Sequence, residues 1–519
     1  MKSDSRTKNA VRNLFFGVIT RIYNLIMPFV IRTVMIYMLG MEYVGLNSLF
    51  VSILQVLNLA ELGVGSAMTF SMYKPIVEKD SVTICALMRL YKIYYRVIGL
   101  IILVAGLCLV PALPLLIKKD LPSDINLYVL YIMNLLTTVL TYWLFAYKNC
   151  LLTAHQRNDI SDKIGYVVNT VKYLGQILVL VIFKDYYLFM IVALIMSAGT
   201  NIATALVVDK LFPEYHAAGK LPKEQSQVIN KRIKDLFTSK IGAVVYDSAD
   251  TIVISAFLGL TALAKYQNYF FVITTVGGFI SLITDSSRPG ISNSIITESE
   301  EKNYKDLNKF TFIISWITAF CICCLACIYQ PFMTLWVTEE NLLPYGMVII
   351  FCIYFIIRML NNLLNVYKDA SGMWHEDRWR PLVCSLVNLV INLILVQFWG
   401  LYGILISTIA SMIFVGIPWI IHNLFSVVFH VNAKQYIFKM LEYIALALIS
   451  CAICILLTWF IPLQSNIVKI IVNFIICAIV PNVLFFLVYR KSKEFKAFVS
   501  LINNLTKGKI KFLKRWLHD

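Results

Sequence analysis

Apolar runs of about 20 residues, the length a helix needs to cross a hydrocarbon core, recur along the whole chain between short polar connections. Fourteen can be marked, at roughly 13–38, 43–72, 90–117, 125–147, 161–183, 186–212, 236–259, 266–296, 308–330, 345–368, 381–398, 401–424, 436–461 and 466–489. The ten-residue alternation of a transmembrane β-barrel strand is missing from them. The pattern predicts an all-α polytopic membrane protein with about 14 transmembrane helices.

Composition sharpens this. Of 519 residues, 59% are hydrophobic and 14% charged, where soluble domains carry about 25% charged residues; mean hydropathy is +0.75. Such a chain needs lipid as its outer solvent, which excludes a soluble enzyme. Residues 1–13 are polar and basic and the run behind them is too long for a leader's apolar core, so no cleaved signal peptide is expected. Cys321, Cys323, Cys324 and Cys327 have the spacing of a metal cluster, but thiols inside an apolar helix are expected to serve as small packing residues. Five of the six histidines fall in predicted connections or the tail and His422 lies at the very end of the twelfth span, which leaves no zinc or nucleophile–histidine constellation at membrane depth.

The 46 basic residues against 29 acidic ones are distributed unevenly. With the N-terminus placed inside and the helices alternating, inner segments hold 32 Lys/Arg and outer connections hold 4 (Lys118, Lys119, Lys184 and Lys265). That is the positive-inside asymmetry. It predicts a multi-pass protein of the cytoplasmic membrane with both termini cytoplasmic, and it assigns the net charge of +17 to topology and anionic lipid headgroups rather than to nucleic acid. Two basic amphipathic segments, 223–240 and 490–519, the latter with Phe495, Phe498, Val499 and Ile502 at helical spacing, are expected on the inner leaflet.

The chain also repeats itself. Leu39-Gly40 recurs as Leu258-Gly259, an offset of 219; Tyr147-Lys148 and His155 recur as Tyr367-Lys368 and His375, an offset of 220; Glu61 followed by Gly65 recurs as Asp285 followed by Pro289, an offset of 224. Six spans per repeat is even, so the copies should be parallel, with a substrate site between them near the midplane. The expected organisation is an N-terminal six-helix bundle (1–212), a cytoplasmic linker (213–235), a C-terminal six-helix bundle (236–428), two extra helices (429–489) and a basic tail (490–519).

An ionisable residue at a span's centre costs roughly 2.5–3.5 kcal/mol on insertion scales, so it normally faces protein or a wet cavity. Arg21 and Arg32 lie eleven residues apart on one face of the first span, with Asn24 and Pro28 between them. The tenth span carries Arg358, Asn361, Asn362, Asn365 and Lys368 as a stripe, and the fourth span answers with Asn134, Thr137, Thr138, Thr141 and Lys148. Lys172 is central in the fifth span, and Asp285 and Arg288 are one turn apart in the eighth, where they could neutralise each other. A cavity rich in arginine suits an anionic cargo such as phosphate. Arg21, Arg32, Arg288, Arg358, Asn24, Asn361, Asn365 and Lys172 are thus candidate substrate contacts. Glu61, Asp247, Asp250 and Asp285 are candidate sites for a coupling Na+ or H+, with ion pairing to the arginines as the alternative. No other cofactor and no metal are expected.

These residues carry a resemblance. Asn13–Arg21 leading to Pro28, Arg32 and Leu39-Gly40, then Tyr43-Val44-Gly45-Leu46 and Glu61-Leu62-Gly63-Val64-Gly65-Ser66-Ala67, resemble the bacterial polysaccharide repeat-unit flippases of O-antigen and capsule type. These belong to the multidrug/oligosaccharidyl-lipid/polysaccharide exporter superfamily. Asp250, Leu258-Gly259, Tyr266 and Pro289 resemble the family's second repeat. The resemblance implies a transporter, not an enzyme, that turns an undecaprenyl-pyrophosphate-linked oligosaccharide from the inner to the outer leaflet by alternating access. The arginines would hold the pyrophosphate, membrane lipids would surround the chain, and a polysaccharide polymerase or assembly machinery would be its partner. The alternatives are a lipid II flippase or a drug or cation exporter of the same fold and, from another class, a membrane enzyme of polysaccharide assembly. A polymerase would want a large external loop with arginines, yet 331–344 has no Lys or Arg.

Overall fold

The computed structural model describes residues 6–505, with side chains over 22–503 apart from 235, 238–240 and 247. Every element among these residues is helical, and the chain divides into two compact units, 1–264 and 265–519. The first holds α1 (Arg6–Met38), α2 (Met41–Leu57), α3 (Val64–Glu78), α4 (Ser81–Leu109), α5 (Leu127–Trp143), α6 (Asn149–Ala154), α7 (Asn158–Ile182), α8 (Tyr186–Leu211) and α9 (Lys223–Leu258), and α10 (Leu260–Thr297) begins at its end. The second continues with α11 (Glu300–Val337), α12 (Tyr345–Ala370), α13 (Arg380–Trp399), α14 (Leu401–Ser411), α15 (Ile417–Leu424), α16 (Lys434–Trp459), α17 (Asn466–Tyr489) and α18 (Lys493–Leu505). Twelve helices or helix runs among the described residues are long and apolar enough to cross a membrane, and α5–α6, bent by 45°, makes a thirteenth. The first predicted span is α1, whose described apolar stretch, Ile22–Met38, is shorter. The basic segment 223–240 runs without a break into the seventh span as α9, which packs on α2 and α3.

The repeat is visible in the backbone. Gly40 separates α1 from α2 at φ 116°, ψ 174°, and Gly259 separates α9 from α10 at φ 99°, ψ 174°. Only glycine enters that region without strain, so the Leu-Gly pair marks the same tight reversal in both copies. The N-caps of the third and ninth spans also correspond. Asp80 accepts from the Thr83 amide at 3.0 Å, and Ser299 accepts from the Lys302 amide at 3.4 Å. The Thr83 hydroxyl, then the amide, hold the Asp80 carboxyl below its usual range.

The copies differ in continuity. Span 2 breaks after α2 into a tight turn, Asn58–Glu61, and restarts at Gly63 in the left-handed region (φ 87°). Span 4 breaks between α5 and α6, where Phe145 takes φ 59°. Their counterparts run through: α10 continues past Pro289, and α12 is unbroken.

In the second unit α11 is the centre, packed on α12, α16 and α17. The buried thiols of Cys323, Cys327, Cys451, Cys454 and Cys477 fill the seam of α11, α16 and α17, where Asn473 donates to the Cys327 carbonyl at 2.7 Å. The tail helix α18 is the described helix of the basic segment 490–519, whose residues beyond 505 lie outside the described residues. Its apolar face is covered by protein: Phe495 and Val499 are buried, Phe495 and Phe498 lie 6.1 and 5.6 Å from the Trp316 ring, and Glu494 pairs with Lys439. Burying these rings against Trp316 competes directly with lipid for the same surface.

Helix α14 approaches α13 so closely that a Cβ on Gly403 would lie 2.4 Å from the Leu395 carbonyl oxygen. Gly403→Val is therefore expected to lower stability by about 1–3 kcal/mol through overpacking. Gly199→Val, where nothing lies within 4 Å, should be neutral. Thermal melting of the two purified variants checks the pair, and equal melting would refute the close contact.

Candidate functional site

The two helix breaks of the first unit open onto one cavity of about 580 Å3. The first break supplies Glu61 and Gly63, α3 supplies Gly65, Ser66, Thr69, Phe70 and Tyr73, α4 supplies Tyr91 and Tyr95, and the second break with α6 supplies Ala146, Asn149, Cys150 and Thr153. Discontinuous spans are how membrane proteins bring backbone and polar side chains to a ligand at depth. Among the described residues lining this cavity, none is Lys or Arg.

Glu61 is held by its neighbours. Tyr91 and Tyr95, one turn apart on α4, hydrogen-bond through their hydroxyls at 2.5 Å, and Tyr95 donates to Glu61 Oε1 at 3.1 Å. The Tyr142 ring stands edge-on to Tyr95 at 5.4 Å and its hydroxyl donates to Asn58 at 3.2 Å. Gly65 leaves room for this chain, since a Cβ there would meet the Tyr91 hydroxyl at 3.1 Å and Glu61 Oε1 at 3.4 Å. The result is an oriented carboxylate beside aromatic faces, hydroxyls and an amide. It can accept from a hydroxylated ligand or hold a cation. Phe70 also lines an adjoining cavity of about 370 Å3 that includes Lys74, Asp80 and Arg232, and the Arg232 guanidinium lies 4.6 Å over the Phe70 ring.

The other candidates of this unit lie elsewhere. Asn24 is exposed and Arg32 half-buried on α1, which packs on α7. There Tyr23 bonds Thr170 at 3.0 Å and lies against Tyr166 at 4.7 Å. Lys172, half-buried on α7, has its ammonium 4.7 Å from the Tyr173 ring. Asp250 is half-buried on α9. The side chains of Arg21 and Asp247 lie outside the described residues. The fourth-span stripe bonds largely back to its own helix: Asn134, Thr137 and Thr138 each donate to the carbonyl four residues earlier. Such back-bonding lets polar side chains sit at depth without a wet lumen. Lys148 pairs with Asp209 at 2.6 Å.

In the second unit the sequence candidates join an ionic chain. Arg288 pairs with Asp285 at 2.9 Å and reaches Asp369 at 3.7 Å; Asp369 holds Lys368 at 2.7 Å; Lys368 lies 3.8 Å from Asp377, and Asp377 grips Arg380 in a two-pronged contact at 2.6 and 2.7 Å. Arg380 also donates to Asn365 at 2.7 Å, and Asn365 to the Asn361 carbonyl at 2.8 Å. Asn365 is thereby tied to a structural network, as are Asp285 and Arg288, whereas Asn361 joins it only through its backbone carbonyl. Arg358 donates to the Tyr354 hydroxyl at 2.8 Å and faces the Phe270 and Tyr354 rings at 5.7 and 5.8 Å. Glu61, a candidate from the sequence, lines this cavity, and the phenols beside it were not among the candidates. The available signal was Tyr91 and Tyr95 at i, i+4 in an apolar span.

Neither a protein-family model nor a curated protein sequence matches the chain. Solved structures do. A lipid II flippase MurJ in an inward closed conformation aligns over 92% of this chain and 99% of its own, with a TM-score of 0.67 at 15% identity. An inward-facing multidrug resistance MATE family transporter of the MOP superfamily aligns over 80% and 97%, at 0.58 and 12%. The eukaryotic MATE transporter AtDTX14 aligns over 84% and 98%, at 0.55 and 13%. The chain thus has the polytopic helical fold shared by a lipid flippase and multidrug transporters.

Proposed function

We propose that this chain is a flippase for a lipid-linked oligosaccharide, an undecaprenyl-pyrophosphate-linked repeat unit that it turns from the inner to the outer leaflet of the cytoplasmic membrane by alternating access. Both termini would be cytoplasmic. The observation that carries this reading is the cavity at the two helix breaks. Its carboxylate, hydroxyls, amide and aromatic faces, without a basic residue among the described lining, match the donors, acceptors and apolar edges of sugar rings. Coverage adds support, because the lipid II flippase aligns over more of this chain than the multidrug transporters do. The pyrophosphate is assigned to Arg21 and Arg32 on α1, since a guanidinium fork matches phosphate oxygens in a way a lysine does not. The same cavity favours a second reading, a multidrug or cation exporter, because one carboxylate beside several phenol rings also suits an organic cation.

Reconstitution separates the two. Full-length protein in proteoliposomes should speed the translocation of a fluorescent short-chain polyprenyl-pyrophosphate oligosaccharide at least tenfold over protein-free vesicles, and should leave ethidium efflux at the background rate. Ethidium transport without movement of the lipid-linked sugar would overturn the flippase reading.

A further inference from the structure

The second unit contains a smaller cavity of about 250 Å3 between α10, the start of α11 and the end of α12. These are the repeat counterparts of the helices that line the Glu61 cavity. Tyr367 lines it, 1% exposed, and its hydroxyl has no hydrogen-bond partner among the described residues. A buried hydroxyl left unmatched is costly, and a native structure normally supplies a partner. The neighbouring groups limit what that partner can be. Asp306 lines the cavity, but its carboxylate is matched by Lys309 at 2.5 Å, so the site presents polar atoms with little net charge. Phe310 offers a ring, centred 6.5 Å from that of Tyr367, and Ser287 a hydroxyl. The volume lies below that of sites for drug-sized ligands.

We propose that this cavity is a subsite for a single neutral sugar ring, a pyranose whose hydroxyls meet Tyr367 and Asp306 and whose C–H edge lies against Phe310. The inference rests on the lipid-linked oligosaccharide reading above and deepens it, since it gives the second unit a glycan contact of its own. Gly290 supplies the means of testing it. It lines the cavity, and nothing lies within 4 Å of a Cβ built there, so a larger side chain can fill the space without displacing the fold. Leucine is also a better helix former than glycine.

The experiment uses full-length protein in phospholipid nanodiscs and saturation-transfer NMR with glucose, galactose, N-acetylglucosamine and N-acetylgalactosamine as probes. Transfer is expected to at least one of the four. Gly290→Leu should abolish it at unchanged thermal melting, and Tyr367→Phe, which preserves shape, should weaken it about fivefold through one lost hydrogen bond. No transfer to any probe overturns the proposal. So does transfer that survives Gly290→Leu but is lost in Gly65→Val, which would place the sugar in the first unit. Flipping of the lipid-linked probe without sugar transfer sinks only this subsite. Gly290-sensitive sugar transfer without flipping leaves the subsite standing and removes the transport reading.

Discussion

Asp377→Ala is expected to destabilise the second unit by about 3–5 kcal/mol, the cost of leaving a buried charge without its partner. The side chains of Asp377 and Arg380 are 3% and 7% exposed and meet through two oxygens and two nitrogens. Removing the carboxylate leaves the guanidinium, among the described residues, with only the Asn365 amide oxygen at 2.7 Å, and it also removes the 3.8 Å neighbour of Lys368. The effect belongs to the stranded charge more than to the pair itself, because desolvating two ions nearly cancels their attraction. The double variant Asp377→Ala/Arg380→Met should therefore recover most of the loss. Melting of purified protein in detergent decides it: a single variant as stable as the parent, or a double variant worse than the single, would refute the account.

That ion chain also shows where the sequence was readable. The helices were, because runs of about 20 apolar residues have no other solution in lipid, and Leu39-Gly40 and Leu258-Gly259 announced the repeat because only glycine makes their reversal. The pairing of Asp285 with Arg288 could be anticipated from one turn of helix. Its extension through Asp369, Lys368 and Asp377 to Arg380 could not, since it depends on how the 371–379 connection folds back on α12. The break at Phe145 left no mark either. No glycine or proline stands there, and the left-handed backbone (φ 59°) runs against the local preference of a bulky residue. The amphipathic pattern of α18 was read correctly as a helix with one apolar face, but periodicity does not say whether lipid or Trp316 covers that face.

Loss of the Glu61 carboxylate is expected to have the largest effect on transport. Glu61 sits at the first helix break, on the cavity wall, as acceptor of the Tyr91–Tyr95 hydroxyl chain. A hydrogen bond to a charged group contributes about 1.5–3 kcal/mol, so Glu61→Ala should slow flipping in proteoliposomes by about ten- to hundredfold. Glu61→Gln is more informative, because its amide oxygen still accepts from Tyr95 while the charge is gone. If Glu61 carries a coupling Na+ or H+, the glutamine variant should flip slowly and equally with or without an ion gradient. If Glu61 binds the glycan instead, gradient dependence should persist and the half-saturating substrate concentration should rise. Tyr95→Phe separates orientation from charge: it keeps the carboxylate, loses one donor, and should cost only about fivefold. Asp250→Asn, on a different helix, is the comparison for a second coupling group. A Glu61→Gln protein present at parental abundance that flips at the parental rate, with parental gradient dependence and parental half-saturation, would remove Glu61 from the mechanism. It would leave the cavity without the group around which its two broken helices are arranged.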